Sequence, residues 1–314
     1  MTQDNWQTDI LDGFEMKYVE QPDDRYGAVR CTVVRKTAEN SKKAAVYIHG
    51  FSDYFFQADM ARQFVSHGYS FYAVDLRRYG RSILTGQKPF VVRDLREYFP
   101  DIQAAIDAAK ADGSTEIILM GHSTGGLTAA LYMQERPDPA VKALILNSPF
   151  LAWNIRSAFK RSLMHVVAAL GRMFPGIPVD SGGTIDYHRS LARSMGGEWD
   201  FDRRWKPDIM PNVDAGWVRA IENGQRRAVR GGIRVPVLLL HSDKSAWHGD
   251  GAKAFSKSDG VLDVKKIAAA GRRIGGNVDE VTIRDGLHDL VLSRPDVRRH
   301  VFSIVFSWLD SHSL

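Results

Sequence analysis

A serine, a histidine and two aspartates stand out because their types and settings could do nucleophilic chemistry. Gly121-His122-Ser123-Thr124-Gly125, followed by Gly126, fits Gly-x-Ser-x-Gly. It lies between an apolar strand pattern, Glu116–Met120, and a helical pattern beginning at Gly126. A chain that reverses this tightly after a strand leaves its central serine strained and exposed at the end of the sheet. Only small neighbours let strand and helix pass so closely. Serine attack at neutral pH needs a general base, and an acyl-transfer intermediate needs donors for its oxyanion. His49-Gly50-Phe51-Ser52 follows the apolar run Ala44–Ile48, so the Phe51 N–H is a donor candidate beside the Thr124 N–H. His49 reads as a residue that holds this loop.

The base is His288. Of ten histidines it alone lies after the last core strand pattern, Glu280–Arg284, and before the closing helix pattern, Val297–Leu309. Two acids compete to orient it. Asp243 follows the strand pattern Val235–Leu240 directly and lies 45 residues before His288. Asp259 lies 29 residues before it, in Asp259-Gly-Val-Leu-Asp263, where Asp263 would cap the next helix. The acid's task is to fix the tautomer of His288 and stabilise its cation. If Asp259 serves, the stretch 244–257 is a local insertion.

These residues need a scaffold. Strand patterns at 14–20 and 29–36 read as a hairpin. The runs 44–48, 70–74, 116–120, 141–146, 235–240 and 280–284 alternate with helical stretches at 59–67, 93–111, 126–134 and 297–309. Pro100 predicts a break near Phe99 in the second of these helices. Continuous apolar strands between helices imply a mainly parallel sheet with helices on both faces. Leu151 to Gly231 breaks the alternation. It holds four of the seven tryptophans and Met164, Met173, Met195 and Met210. Some 80 residues need structure of their own, so a mostly helical insertion is expected.

The motifs together resemble the serine α/β-hydrolases. His49-Gly50-Phe51, Asp75-Leu-Arg-Arg-Tyr-Gly-Arg-Ser82 and Gly-His-Ser-Thr-Gly-Gly126 occur in the order and spacing of that superfamily. Within it, the chain is similar to the monoacylglycerol lipase/lysophospholipase group, which includes serine aminopeptidase-like sequences. The resemblance implies an α/β-hydrolase fold: a mostly parallel eight-stranded sheet, a core of residues 1–150 and 231–314, and a helical cap over 151–230. It implies a triad of Ser123, His288 and Asp259, the last because the 29-residue separation and the Asp-x-Val-x-Asp pattern match relatives. It also implies an oxyanion hole from Phe51 and Thr124, and a small-molecule ester as substrate. One departure is Arg78-Tyr79, where relatives more often carry Gly-His; its bulk is expected to reshape a wall near the site.

The same site could serve an aminopeptidase, a thioesterase, an acyltransferase or a perhydrolase. An aminopeptidase needs cap acids to hold an ammonium, and Asp180, Asp186, Glu198, Asp200, Asp202, Asp208, Asp214 and Glu222 are available. A non-catalytic binding protein would show a damaged triad. Dehalogenase or epoxide-hydrolase chemistry would need an aspartate at position 123.

Composition narrows the classes further. The 314 residues are 44% apolar and 25% charged, which is globular and not disordered. No apolar run reaches the ~18–20 residues that span a bilayer, so no stable membrane insertion is expected. The polar start, Met1 to Ile10, is unlike a signal peptide. Cys31 is the sole cysteine, which excludes an internal disulfide. A cytoplasmic location follows as the expectation. The net charge is +5, and five arginines between Arg219 and Arg234 read as a solvated helix face, so no nucleic-acid partner is expected. No His-Glu-x-x-His, paired CxxC or calcium-loop spacing occurs, so neither a metal nor a cofactor is expected.

Overall fold

The computed structural model describes residues 5–182, 185–247 and 249–314; the first four residues of the polar start lie outside it. Chain order begins β1 (Gln7–Thr8), β2 (Glu15–Asp24), β3 (Gly27–Lys36), β4 (Lys43–Ile48), α1 (Ala58–Ser66), β5 (Tyr69–Asp75) and α2 (Phe99–Ala111). It continues β6 (Glu116–His122), α3 (Thr124–Glu135), β7 (Val141–Asn147), α4 (Ala158–Leu170), β8 (Pro178–Val179), α5 (Ile185–Leu191), β9 (Val213–Asp214) and α6 (Ala215–Ala228). β10 (Val237–Ser242), α7 (Ala252–Phe255), α8 (Val264–Gly271), β11 (Val278–Ile283) and α9 (Pro295–Ser311) close the chain.

The main sheet has the order β1-β2-β3-β5-β4-β6-β7-β10-β11. β1, β2 and β3 pair antiparallel with their neighbours, and every pairing from β5 to β11 is parallel. This is the α/β-hydrolase arrangement. Among the described residues this sheet has nine strands where eight were expected. The extra one is β1, two residues paired to the start of β2, too short for any alternation to reveal it.

Alternation along the central strands splits the apolar side chains between two cores. Val46, Leu119, Leu144 and Leu239 face α2, α3, α6 and α8. Tyr47, Met120, Ile145 and Leu240 face α1 and α9. Burial on both faces explains why these strands read as unbroken apolar runs; each large side chain so buried contributes roughly 1.5–3 kcal/mol. The break at Pro100 is real. A 3₁₀ turn, Leu95–Tyr98, is capped by Asp94 and Glu97, and Pro100 occupies the first turn of α2, where no N–H is missed.

The stretch 151–230 is not uniform. α6 packs in the core with α3 and the 3₁₀ turn before α2, and Trp217, Val218, Ala220 and Ile221 belong to that core. Asp214 caps it by accepting from the Trp217 N–H, and Arg226 and Arg227 occupy its last turn, where cations suit a helix end. α4 lies against α6 but leaves much of its surface open. Phe159 (78% exposed), Leu163, Val166, Leu170, Met173 (73%), Phe174 and Ile177 form an exposed apolar stripe. The pair β8–β9 joins the two ends of the excursion between α4 and α6. Among the described residues no helix is long and apolar enough to cross a membrane.

Candidate functional site

β6 and α3 meet at Ser123, whose φ of 53° and ψ of −118° lie in a region costly for any side-chain-bearing residue. Three backbone bonds hold it there. The Ser123 N–H donates to Asn147 O (3.1 Å), and Ser123 O accepts from Leu127 N (3.1 Å) and Phe150 N (2.9 Å). The flanking glycines are required by contact. A Cβ on Gly125 would lie 2.3 Å from His49 O, and one on Gly121 would lie 2.6 Å from Gly125 O. The turn after β4 is equally close, since a Cβ on Gly50 would meet the Ser123 Cβ at 3.1 Å. Phe51 therefore sits in a turn pressed against Ser123, and Thr124 opens α3 immediately after it.

His49 holds that turn, as expected. It is fully buried; its Nδ1 donates to Gly50 O (2.8 Å) and its Nε2 accepts from Leu76 N (3.1 Å). Those two bonds require the neutral ring, and burial lowers its pKa accordingly.

Asp259 and His288 are together. His288 Nδ1 lies 3.0 Å from Asp259 Oδ2, with both residues buried. The other oxygen of Asp259 accepts from Val261 N (2.8 Å) and Leu262 N (2.7 Å), so the carboxylate is fixed at both ends. Asp243 is placed otherwise. It accepts from Asp285 N at 2.9 Å and so braces the turn that carries His288. The confusion between the two acids has a structural cause. Ser245 and Asp259 form a parallel bridge, with Asp259 N donating to Lys244 O and Ala246 N to Asp259 O. The chain leaves at Ala246 and returns at Ser258 through it, so Asp259 stands at the exit of β10 despite its sequence distance. Asp263 caps α8, accepting from Lys265 N and Lys266 N.

An aromatic wall flanks Ser123. Phe51 packs on Trp217 (ring centroids 4.8 Å) and Phe90 (5.4 Å), and Phe150 packs on Trp153 (5.2 Å). Tyr79 contributes to the same wall through Phe90 (5.0 Å) and His49 (4.9 Å). Arg78, beside it, has a φ of 64°, which glycine adopts without strain. Its guanidinium is held by both oxygens of Asp24, at 2.6 and 2.8 Å.

Sequence reasoning missed a buried polar cluster behind the dyad. Asp53, His122 and Asp289 each bring a donor atom within 4.8 Å of the others. That set could hold a cation, but the Lys206 ammonium already lies 2.9 Å from Asp53. Asp289 accepts from Asn147 Nδ2 (2.7 Å) and Gln57 Nε2 (3.1 Å). The His122 ring stands 4.7 Å from that of His288, and burial lowers its pKa against the pull of Asp289 and Asp53. Tyr187 of α5 meets His288 edge-on at 5.7 Å and accepts from Asp289 N. His122 and Asp289 adjoin Ser123 and His288 in sequence, which was the one available signal; Lys206 carries none.

The family described as serine aminopeptidase, S33 matches residues 39–267, well over half the chain. A monoacylglycerol lipase of Mycolicibacterium smegmatis is 27% identical over 91% of this chain and 95% of its own. A soluble variant of monoglyceride lipase from Saccharomyces cerevisiae, solved with a substrate analogue, superposes with a TM-score of 0.68 at 17% identity, covering 94% of this chain and 95% of that one. A monoacylglycerol lipase of Paleococcus ferrophilus gives 0.61 at 18% identity, covering 90% and 99%. The chain belongs to the serine aminopeptidase S33 family of α/β-hydrolases, in its monoacylglycerol lipase-like group.

Proposed function

We propose that Ser123, His288 and Asp259 carry out the carboxylic-ester hydrolysis of this enzyme through an acyl-enzyme. His288 takes the Ser123 proton as Oγ attacks the acyl carbonyl, then returns it to the leaving alcohol. It next activates water for deacylation. Asp259 holds the imidazole by Nδ1 and stabilises its cation. The N–H groups of Phe51 and Thr124 receive the oxyanion. The observation that carries this reading is the conjunction of the strained Ser123 turn with the 3.0 Å His288–Asp259 bond.

The substrate is an ester with an apolar acyl chain, of the monoacylglycerol kind. The segment 151–212 serves as a cap, and the wall of Phe51, Phe90, Phe150, Trp153 and Trp217 supports an apolar acyl site. The exposed stripe on α4 suits contact with a lipid aggregate. No acid occurs from Leu151 to Val179, whereas Arg156, Lys160, Arg161 and Arg172 do. An aminopeptidase reading is disfavoured, because seven of the eight cap acids, all but Asp180, have basic partners among the described residues. Asp186, Glu198, Asp200, Asp202, Asp208, Asp214 and Glu222 each lie within 4.0 Å of a basic side chain. A panel of p-nitrophenyl esters, monoacylglycerols and aminoacyl anilides tests the reading. Ester turnover that Ser123→Ala abolishes is expected, and faster cleavage of the anilides would overturn it.

A further inference from the structure

The segment following α5 reaches across the site and plants one buried cation in it. Asp202 N donates to the Tyr54 hydroxyl (2.8 Å), Trp205 packs on Tyr54 (ring centroids 5.0 Å) and Phe201 on Phe56 (5.2 Å). These contacts deliver Lys206, only 11% exposed, to Asp53, 3% exposed, at 2.9 Å. Asp53 is two residues beyond Phe51, in the turn that presses on Ser123, and its Oδ1 also accepts from Tyr54 N (3.0 Å). A buried carboxylate without a partner is costly and electrostatically far-reaching. Lys206 therefore does two things at once: it ties this segment to the turn after β4, and it offsets a negative charge close to the His122–His288 pair.

We propose that Lys206 is a positioning residue for the hydrolytic site, acting through Asp53 to seat the Phe51 turn and to set the charge that His288 experiences. The proposal rests on the assignment of His288 as base and Phe51 as oxyanion donor. The groups facing His288 are Asp259 from the loop before α8, His122 from the end of β6, Tyr187 from α5 and Asp289 beside it. Asp53 and Lys206 complete the set through the cluster with His122 and Asp289. Asn147 and Gln57 satisfy the Asp289 carboxylate but bring no charge. Lys206 is the one cation in this group, so its loss leaves an uncompensated anion near the base.

The signs are opposite for the two partners. Without Lys206, the Asp53 charge favours imidazolium, so the acid limb of kcat/KM moves to higher pH. Without the Asp53 charge, the Lys206 ammonium disfavours imidazolium and the limb moves down. Each shift should be about 0.5–1 pH unit.

The experiment measures kcat, KM and the acid limb on one p-nitrophenyl ester for wild type, Lys206→Met, Asp53→Asn, the double variant and Tyr54→Phe. Labelling of wild-type Ser123 by a fluorophosphonate comes first; an unlabelled wild type overturns the hydrolytic assignment itself. With a labelled wild type, Lys206→Met should raise the limb and lower kcat about tenfold with KM within about twofold. Asp53→Asn should lower the limb, and the double variant should return it to the wild-type position. Tyr54→Phe loosens the same docking without changing charge and should leave the limb in place. If Lys206→Met does not fold, Asp53→Asn and the double variant still give the downward shift and its cancellation. An unmoved limb in the single variants, shifts of the same sign in both, or an equal shift in Tyr54→Phe overturns the role of Lys206 while leaving the hydrolase intact.

Discussion

The turn at Ser123 and the arm around α4 flank the same aromatic wall, yet they are built on opposite terms. At Ser123 every neighbour is fixed: the serine backbone is tied by three bonds, and no side chain fits at Gly121 or Gly125. On α4 only Ala168 is fully buried, and the outer face is a run of exposed apolar side chains. Where the backbone itself does the work, few residue types are tolerated and a short motif reports the geometry. Where the work is done by apolar surface, many sequences serve and only composition hints at it.

The largest effect that could break this contrast is at the nucleophile. Ser123→Ala should lower kcat by roughly 10³–10⁶-fold and abolish fluorophosphonate labelling. Equal labelling of both proteins would show that the constrained turn is not the reactive one. The two acids come next. Asp259→Asn should lower kcat by about 10²–10⁴-fold with the fold retained by circular dichroism. Asp243→Asn, which keeps an oxygen to accept from Asp285 N and gives up its charge beside Lys244, should cost less than about tenfold. A reversed order would overturn the dyad.

The cap side is expected to respond in smaller, graded steps. Each added acyl methylene should contribute up to ~0.8 kcal/mol, or roughly fourfold in kcat/KM, from acetyl to at least hexanoyl esters, followed by a plateau or fall. Trp217→Ala should flatten that slope. Acetyl esters proving best would mean a small or polar pocket, and the lipase-like part of the reading would fail with the triad intact.

The smallest expected effect is on stability. Burial lowers the pKa of His49, His122 and His188 below the ordinary histidine value. The unfolded chain binds those protons first, so stability is full above the unfolded pKa of about 6.5 and declines as pH falls below it. Thermal melts between pH 7.5 and 5 should show Tm falling. A flat or rising Tm over that window would contradict the burial of these rings in the folded state.

Much of this molecule is legible in its sequence, for unequal reasons. The central strands declare themselves because both faces are buried, and Pro100 marks a break because it cannot donate. Ser123 and His288 are found from motif and chain order. Asp259 needed a resemblance, because sequence distance from β10 favours Asp243 and only the Ser245–Asp259 bridge removes the excursion between them. The Asp53–Lys206 pair was invisible: each residue is an ordinary surface type, 153 positions apart in sequence and 2.9 Å apart in space. β1 escaped notice because two residues carry no periodicity.

The bridge between Ser245 and Asp259 also bears on how this protein tolerates change in length. The acid is fixed by partners outside the excursion, since Lys244, Val261, Leu262 and His288 hold it. The tip at Gly249–Lys253 is exposed, with Gly249 and Gly251 at positive φ. Loop closure grows more costly only slowly with length, about 0.6 kcal/mol per doubling. The tip is thus a natural port: a peptide tag inserted between Asp250 and Gly251 should leave esterase turnover near wild type. The same tag placed within Val261–Asp263 should silence the enzyme.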